Sequence, residues 1–216
     1  MVIVGVDMSK NSPGVCIRRD SSLQFISFIR GKDNGKISAS DSAHFEAMKK
    51  CGVEIHSYNF SQPAKMEYSE SEVWKANDAK RYASWITSRL PDDVDFISIE
   101  GFSYGSKGNS FIDVVGYGYA VRMAILEKYP SKFSVFSPGN VKKTAGKGNA
   151  NKEAIMEFFI NCKDEDLREN EFWKSLKLEK IDRARKPVDD LVDSYYVQEC
   201  AKNLYEKKFF HVESLV

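Results

Sequence analysis

The strongest constraint on the fold is the apolar run VIVGV at residues 2–6, which ends in Asp7. A continuous run of β-branched residues is typical of a strand buried on both faces, so other elements must cover both of its sides. Two strand-like segments, GVCIRR and LQFISFI, follow it and are separated only by the polar residues DSS. The three segments together predict an antiparallel meander joined by tight turns.

The rest of the chain alternates between helix and strand patterns. Helices are expected over residues 69–90, 111–129, 152–162 and about 188–205, and strands over 94–100 and 133–138. Ser69 or Ser71 is expected to cap the first of these helices. The glycines and lysines of residues 140–152 predict a basic loop, and the charged residues 163–186 predict an exposed or mobile insertion. A second insertion, with a short helix and a strand, is expected near residues 37–70.

This order of elements predicts one domain of the α/β class, residues 1–216. A meander followed by strand–helix–strand crossovers predicts a mixed five-stranded sheet, with the antiparallel three-strand meander plus parallel strands, flanked by helices. This is the arrangement of the ribonuclease H-like fold. The actin and sugar-kinase group shares it, so the fold alone does not select a function.

Composition excludes several classes of protein. The formal net charge is only +1, so a nucleic-acid site must come from local clustering of basic residues rather than from the whole surface. The four cysteines contain no CxxC pair, which argues against a zinc knuckle or a disulfide framework and favours a reducing, cytoplasmic compartment. No stretch approaches the ~20 apolar residues of a membrane span, and the first residues lack the pattern of a signal peptide.

Four acidic residues fall where the predicted elements can bring them together. Asp7 ends the first strand and Glu100 ends the fourth, while Asp190 and Asp193 stand three apart near the start of the last helix. Positions three apart share a helix face, and strand ends are where ligand sites gather in α/β sheets. Each acid alone has an ordinary explanation as a turn, strand-end or helix-dipole residue. As a set, they predict a site for Mg²⁺ or Mn²⁺.

The chain resembles the RuvC-type Holliday junction resolvases in four motifs that follow one another in the family's order. The segment VGVDMSKNSPG resembles the family's first strand and turn, and FISIEGF resembles the strand with the second acid. The segment FSPGNVKKTAGKGNANKEAIM resembles the family's strand, glycine loop and following lysine, and VDDLVDSYYVQECA resembles its last helix. Met8 and Ser9 replace the usual Pro-Gly, and Ser194 replaces an alanine, which indicates a divergent branch of viral or organellar origin.

The resemblance implies a metal-dependent endonuclease that resolves four-way DNA junctions by paired phosphodiester hydrolysis. It implies two Mg²⁺ or Mn²⁺ ions in each active site, held by the four catalytic acids Asp7, Glu100, Asp190 and Asp193. It places Lys142 and Lys152 near the scissile phosphate and counts Lys152 among the catalytic residues. It also implies a homodimer, because two strands must be cut symmetrically, with no nucleotide cofactor and no membrane.

Two segments are candidates for DNA contacts. Four lysines crowd the basic segment and could hold a DNA phosphate without reading sequence: Lys142, Lys143, Lys147 and Lys152. The segment GKGNANK lacks the spacing of a Walker-type phosphate loop. The loop after Glu100 carries Phe102 and Tyr104, which could stack on unpaired bases at a junction centre. Gly116 and Gly118 lie inside a predicted helix and could permit the close approach of another backbone, within the sheet or across a dimer.

Three other functions stay open from the residues alone. A nuclease of the same type could act on flaps, replication forks or packaging intermediates instead of four-way junctions. A non-catalytic module could bind junctions, although such a protein would not need the complete acid set. A kinase or ATPase of the same superfold would need a second glycine-rich phosphate loop, and the segment EGFSYGSKG matches one poorly.

Overall fold

The computed structural model describes residues 1–31, 38–58, 63, 65–102 and 109–210, without the side chains of 109, 110, 209 and 210. Its strands are β1 Val2–Asp7, β2 Gly14–Arg19, β3 Ser22–Arg30, β4 Glu54–Tyr58, β5 Phe96–Glu100 and β6 Phe133–Phe136. They form a sheet in the order β4-β3-β2-β1-β5-β6. Strand β1 thus lies inside the sheet, between β2 and β5, as its uninterrupted apolar run requires.

The sheet is mixed, as the sequence predicts. Strand β1 pairs antiparallel with β2, and β2 pairs antiparallel with β3, which confirms the meander. Strand β5 runs parallel to β1, and β6 runs parallel to β5. The described sheet has six strands rather than the expected five, because β4 extends the edge of β3 in parallel. Strand β4 comes from the stretch near residues 37–70, where the sequence indicated a strand within an insertion.

The described helices are α1 Ala39–Lys50, α2 Tyr68–Thr87, α3 Asn109–Lys128, α4 Pro138–Ala145, α5 Lys152–Ile160, α6 Glu165–Glu169, α7 Glu171–Lys177 and α8 Val188–Phe210. The four helices expected from the sequence correspond to α2, α3, α5 and α8. Helix α2 is capped by Glu67 rather than by Ser69 or Ser71, because Glu70 accepts a hydrogen bond from the Glu67 backbone N–H at 3.2 Å. Among the described helices, none combines the length and the apolar character needed to cross a membrane.

Two helical layers cover the sheet. Helices α2 and α3 cover one face, and the core on that side includes Val4, Val6, Tyr82, Ile97 and Val121. Helix α8 covers the middle of the other face, where α4 and α5 pack against it and α7 packs against α5. The core on this second side includes Phe25, Phe159, Phe172, Leu191 and Val197. The strand residues alternate between the two cores, as expected of strands buried on both faces.

Two strand glycines allow α8 to lie directly on the sheet. A Cβ atom at Gly5 would stand 2.2 Å from the backbone nitrogen of Gln198, and a Cβ atom at Gly14 would stand 2.3 Å from the carbonyl oxygen of Asp190. Side-chain carbons do not approach backbone atoms this closely, so both positions must lack a side chain. These contacts place the first turns of α8 over the end of β1, because Gly14 is the β2 residue paired with Asp7.

Residues 138–145 form helix α4, so the prediction of a loop throughout residues 140–152 is wrong. Ser137 caps this helix by accepting a hydrogen bond at 3.3 Å from the backbone N–H three residues later. A serine cap followed by proline in the first turn is a strong start signal, which the glycines and lysines of the segment obscured. Gly146, with a φ of +144°, ends the helix. Lys142 and Lys143 therefore stand on a helix, and Lys147 lies in the loop that follows.

Helices α6 and α7 of the charged segment 163–186 pack onto the sheet side of the molecule, so the prediction that the whole segment is an exposed or mobile insertion is wrong. Helices α6 and α7 bury apolar side chains, among them Leu167 and Phe172. The guanidinium of Arg18 on β2, which is only 1% exposed, donates hydrogen bonds to Asp164 and Asp166. Two acids of this segment, Asp164 and Asp166, therefore belong to an internal ion-pair cluster rather than to a solvated surface.

Replacing Gly5 with alanine tests the close approach of α8 to the sheet. We expect Gly5→Ala to lower the free energy of unfolding by about 1–3 kcal/mol, because the added methyl group must push the α8 backbone away from β1. Urea denaturation measures this change. Gly139→Ala is the matched control, since nothing lies within 4 Å of a Cβ atom at that position. Equal stability of Gly5→Ala and wild type would contradict the packing described above.

Candidate functional site

The sheet brings Asp7 and Glu100 side by side. Strands β1 and β5 are parallel neighbours in which Val6 pairs with Ile99. The next residue of each strand therefore ends it at the same edge of the sheet, and these residues are Asp7 and Glu100. The side chain of Asp7 is buried, and that of Glu100 is half-buried.

Helix α8 brings Asp190 and Asp193 to the same edge. The backbone of Asp190 lies against Gly14, and Gly14 pairs with Asp7 in the β1–β2 ladder. Asp190 is buried and Asp193 is half-buried. The carboxyl group of Asp7 is close enough to interact electrostatically with those of Asp190, Asp193 and Glu100. The structure thus brings together the four acids that were singled out in the sequence.

Burial and mutual repulsion raise the pKa values of this acid cluster. Burial raises the pKa of Asp7 well above its usual value, and the other three carboxylates raise it further. Burial also raises the pKa of Glu100, whose side chain shares a hydrogen bond with Asp7. Burial, together with Glu100 and Asp190, raises the pKa of Asp193 to about 7. When all four carboxyl groups are ionised, the cluster therefore carries more negative charge than its protein surroundings neutralise.

Asp190 has two side-chain partners that the sequence analysis missed. The hydroxyl of Ser12 donates to its Oδ2 at 2.5 Å, and the ammonium of Lys186 donates to its Oδ1. Burial raises the pKa of Asp190, and Lys186 opposes this rise. Lys186 stands only four residues before Asp190, so their closeness in the sequence could have indicated this pair, although Lys186 precedes the helix that carries Asp190. No local pattern indicates Ser12, because its partner lies far away along the chain.

A fifth acid, Asp189, holds two of the lysines near the cluster. Its Oδ2 accepts a hydrogen bond from Lys152 and lies 3.0 Å from the ammonium nitrogen of Lys186. Its Oδ1 is buried and has no hydrogen-bond partner among the residues that the structure describes. Burial acts to raise the pKa of Asp189, but the two ammonium groups hold that pKa below its usual value.

Two of the four predicted DNA-binding lysines reach the acid cluster. Lys142 on α4 and Lys152 at the start of α5 both oppose the rise in the pKa of Glu100 that burial causes. Lys143 lies next to Lys142 on α4 but lines a groove between α4 and α8. Lys147 is exposed in the loop between α4 and α5.

The two aromatic residues expected to stack on bases differ in their placement. Phe102 packs against α3, with its ring centroid 5.5 Å from that of Tyr119 and 4.0 Å from the guanidinium carbon of Arg122. A Cβ atom at Gly118 would stand 2.5 Å from the Phe102 ring, so this glycine makes room for the ring. Tyr104 lies outside the described residues.

Helix α2 holds the turn that follows β1. The hydroxyl of Tyr82 donates to the carbonyl oxygens of Ser9 and Lys10, at 3.1 and 3.2 Å. The ammonium of Lys10 pairs with Asp113 on α3 at 2.7 Å. Both helices on the far side of the sheet therefore fix the turn that carries Ser12 towards the acid cluster.

The acid cluster offers suitable donors for a hard divalent cation, but they are not assembled as a ligand shell. Carboxylate oxygens are the ligands that Mg²⁺ and Mn²⁺ prefer, and the cluster lacks a matching positive charge. Within the described ranges, no three histidine, cysteine, aspartate or glutamate side chains are grouped so that they could hold a metal ion. Asp190 is instead engaged by Ser12 and Lys186. A cation at Asp190 would therefore have to replace the ammonium of Lys186.

The matches among solved structures include two structures of RuvC from Thermus thermophilus. The structure of T. thermophilus RuvC in complex with a Holliday junction substrate is 14% identical to this chain, with a TM-score of 0.46, and the match covers 94% of this chain and 96% of that one. A Thermus thermophilus RuvC structure is 12% identical, with a TM-score of 0.44, and the match covers 96% and 95%. Both belong to the family that the sequence motifs resemble. No protein-family model and no curated protein matches the chain.

Proposed function

We propose that this chain is a single nuclease domain that uses divalent metal ions to hydrolyse phosphodiester bonds in branched DNA, with the four-way junction as its substrate. The observation that carries the proposal is the gathering of the acid cluster, Asp7, Glu100, Asp190 and Asp193, at one edge of the sheet. Carboxylates buried together lower the stability of a fold unless a cation compensates them. The lysines beside the cluster are suited to hold the phosphate of a substrate.

The acid cluster would hold two Mg²⁺ or Mn²⁺ ions. Ions of this kind activate a water molecule and stabilise the charge on the leaving oxygen of a phosphodiester. Asp190 would exchange its contact with Lys186 for a contact with an ion, while Ser12 keeps the carboxylate in its orientation. The Lys186 side chain is 53% exposed, so its ammonium can turn towards solvent or towards a phosphate.

Lys142 and Lys152 would neutralise the phosphate at the cutting site. The Lys152 side chain is 68% exposed, so it can leave Asp189 and turn towards a phosphate without a change in the backbone. Contacts of this type position the DNA backbone and do not read its sequence. The preference for a branched substrate would therefore come from the shape of the DNA and from the pairing of two subunits.

We also propose a two-fold homodimer formed through α3, because paired cleavage needs two acid clusters. Four large apolar residues of α3 are between 50% and 69% exposed: Ile112, Tyr119, Met123 and Leu126. When Gly116 is included, successive members of this set are four, three, four and three residues apart along α3. They therefore share one helix face. Nothing lies within 4 Å of a Cβ atom at Gly116, so this mid-helix glycine has no packing role within the described subunit. Such a glycine costs ~1 kcal/mol relative to alanine, and the close approach of a second copy would explain it.

A groove beside this apolar stripe makes the surface self-complementary. The groove lies between α2 and α3 and has a volume of about 580 Å³, and Met123 lines it together with Ala83, Ala120 and Ala124. Lys80 and Glu127 also line it, and neither has an ion-pair partner in the part of the chain that the structure describes. A two-fold axis can seat Met123 of each subunit in the groove of the other and pair Lys80 with the partner's Glu127.

Cleavage of labelled DNA tests the nuclease proposal. In Mg²⁺ we expect wild-type protein to introduce symmetric nicks into a four-way junction, and in Ca²⁺ we expect it to bind the junction without cutting. Asp7→Asn should bind equally well and cut about 1,000-fold more slowly or worse, since the loss of several kcal/mol of transition-state stabilisation corresponds to several powers of ten in rate. Asp92→Asn is the matched control, because the Asp92 side chain is 94% exposed.

The outcomes of this assay separate the candidate functions. Preferential cutting of flaps or forks would assign the same chemistry to another branched substrate. Tight binding of the junction in Mg²⁺ without any cleavage would identify a non-catalytic binding module. Full cleavage by Asp7→Asn would refute the assignment of the acid cluster.

A charge on the α3 stripe tests the proposed dimer. We expect Met123→Glu to convert a dimer into a monomer in analytical ultracentrifugation, because it buries two carboxylates close to each other across the two-fold axis. Junction cleavage by the monomer should become unpaired single-strand nicking. Leu178→Glu is the matched control, since Leu178 is 63% exposed but follows α7 on the opposite face of the sheet. A wild-type protein that sediments as a monomer would contradict the dimer and leave the nuclease proposal to the cleavage assay.

A further inference from the structure

A polar groove lies between α4 and α8, outside the acid cluster. It has a volume of about 500 Å³ and is lined by Asn140, Lys143, Thr144, Cys200, Asn203 and Lys207. Phe136 at the end of β6 and Leu204 on α8 form its apolar wall. Lys143, Asn203 and Lys207 are exposed, so the rim of this α4–α8 groove opens to solvent.

The lining of the α4–α8 groove is suited to an anion. It offers two ammonium groups and two side-chain amides, and it contains no carboxylate, while the Thr144 hydroxyl donates to the carbonyl oxygen of Asn140 at 3.3 Å. Neither Lys143 nor Lys207 has an ion-pair partner among the described residues. The neighbouring lysines of α4 and α8 are engaged elsewhere. Lys142 interacts electrostatically with Glu100, and the ammonium of Lys208 lies 5.4 Å from the ring centroid of Phe96. A concave surface with positive charge alone raises the local concentration of anions.

The groove continues directly from the acid cluster. Phe136 pairs with Glu100 in the β5–β6 ladder, so the apolar wall begins next to one of the four acids. On α8, Asp193 is followed at helical spacing by Cys200, Asn203 and Lys207, which therefore lie on one face of the helix. At a rise of 1.5 Å per residue, Lys207 lies about 21 Å from Asp193 along the helix axis. This length corresponds to about six nucleotides of one duplex strand at 3.4 Å each.

We propose that the α4–α8 groove binds the sugar–phosphate backbone of a DNA arm that leaves the acid cluster. Lysine, asparagine and threonine side chains are typical donors to phosphate oxygens, and they give affinity without sequence preference. Lys143 and Lys207 each contact one phosphate, while Asn140, Asn203 and Thr144 lie between them. The direction of the DNA arm rests on the proposed function. The contact between the arm and the groove is tested by binding measurements that need no cleavage.

The salt dependence of binding measures these contacts. We expect the double variant Lys143→Gln/Lys207→Gln to bind a four-way junction in Ca²⁺ with a flatter dependence of log K on log salt concentration. The slope should fall in magnitude by about 1.8, because each phosphate contact contributes about 0.9. The control is Lys50→Gln/Lys180→Gln, which removes the same charge from exposed positions at the end of α1 and after α7, outside the groove lining, and should leave the slope unchanged. Thermal melting checks that both double variants are folded.

Shortening the DNA arms distinguishes a groove contact from a general loss of charge. With arms long enough to pass Lys207, wild type should bind more tightly than Lys143→Gln/Lys207→Gln. With arms shorter than about six nucleotides, the part of this difference that Lys207 causes should disappear, because the arm ends before it reaches Lys207. An equal loss of affinity in the control variant, or a loss that is independent of arm length, would overturn the proposal.

Three further outcomes distinguish a DNA-binding groove from a small-anion site and from a failure of the nuclease proposal. If inorganic phosphate raises the melting temperature of wild type but not of Lys143→Gln/Lys207→Gln, while both bind junctions with the same salt slope, the groove is a small-anion site and the proposal is wrong. If wild type binds the junction but does not cut it, the nuclease proposal fails while the groove test stands. If wild type binds no DNA, both proposals fail.

Discussion

The direct contact between α8 and the strands β1 and β2 is the constraint on which the site depends. Gly5 and Gly14 lack side chains at the two points where the α8 backbone meets the sheet. Because of this contact, the first turns of α8 reach the end of β1, and Asp190 and Asp193 come to lie beside Asp7. A bulkier strand surface would raise the helix and separate the acids. The packing of α8 on the sheet therefore determines which side chains meet in the site.

The fold tolerates the acid cluster at a cost in stability. Burial raises the pKa values of Asp7, Glu100, Asp190 and Asp193, which means that the folded chain resists their full ionisation. Lys186 and Lys152 offset part of this cost through Asp190 and Asp189, and both are exposed enough to be exchanged for other partners. Charge that is compensated by movable groups is typical of a binding site rather than of a structural ion pair, since functional sites often reduce stability. By contrast, Arg18 is buried among its acids and ties α6 to β2 as a permanent structural cluster.

The sequence predicts those parts of the structure in which the signal is local and periodic. The apolar run before Asp7 indicates the central strand, and the spacing of Asp190 and Asp193 indicates a shared helix face. Helix α4 was missed because its glycines and lysines outweighed the cap at Ser137. The packing of residues 163–186 was missed because the partner of its acids, Arg18, lies on a strand far away along the chain. Ser12 could not be predicted as a partner of Asp190 for the same reason, whereas the position of Lys186 relative to Asp190 gave a usable signal.

The central claim is that the four carboxyl groups together hold two divalent cations, and a calorimetric titration of the protein with Mn²⁺ tests it most directly. We predict saturable binding of two ions per chain, with loss of binding in Asp7→Asn and in Asp193→Asn but not in Asp92→Asn. We also predict tighter binding in Lys186→Met, because the ammonium that competes for Asp190 is removed. Absence of saturable binding to wild type, or binding that survives both Asp7→Asn and Asp193→Asn, would contradict the claim.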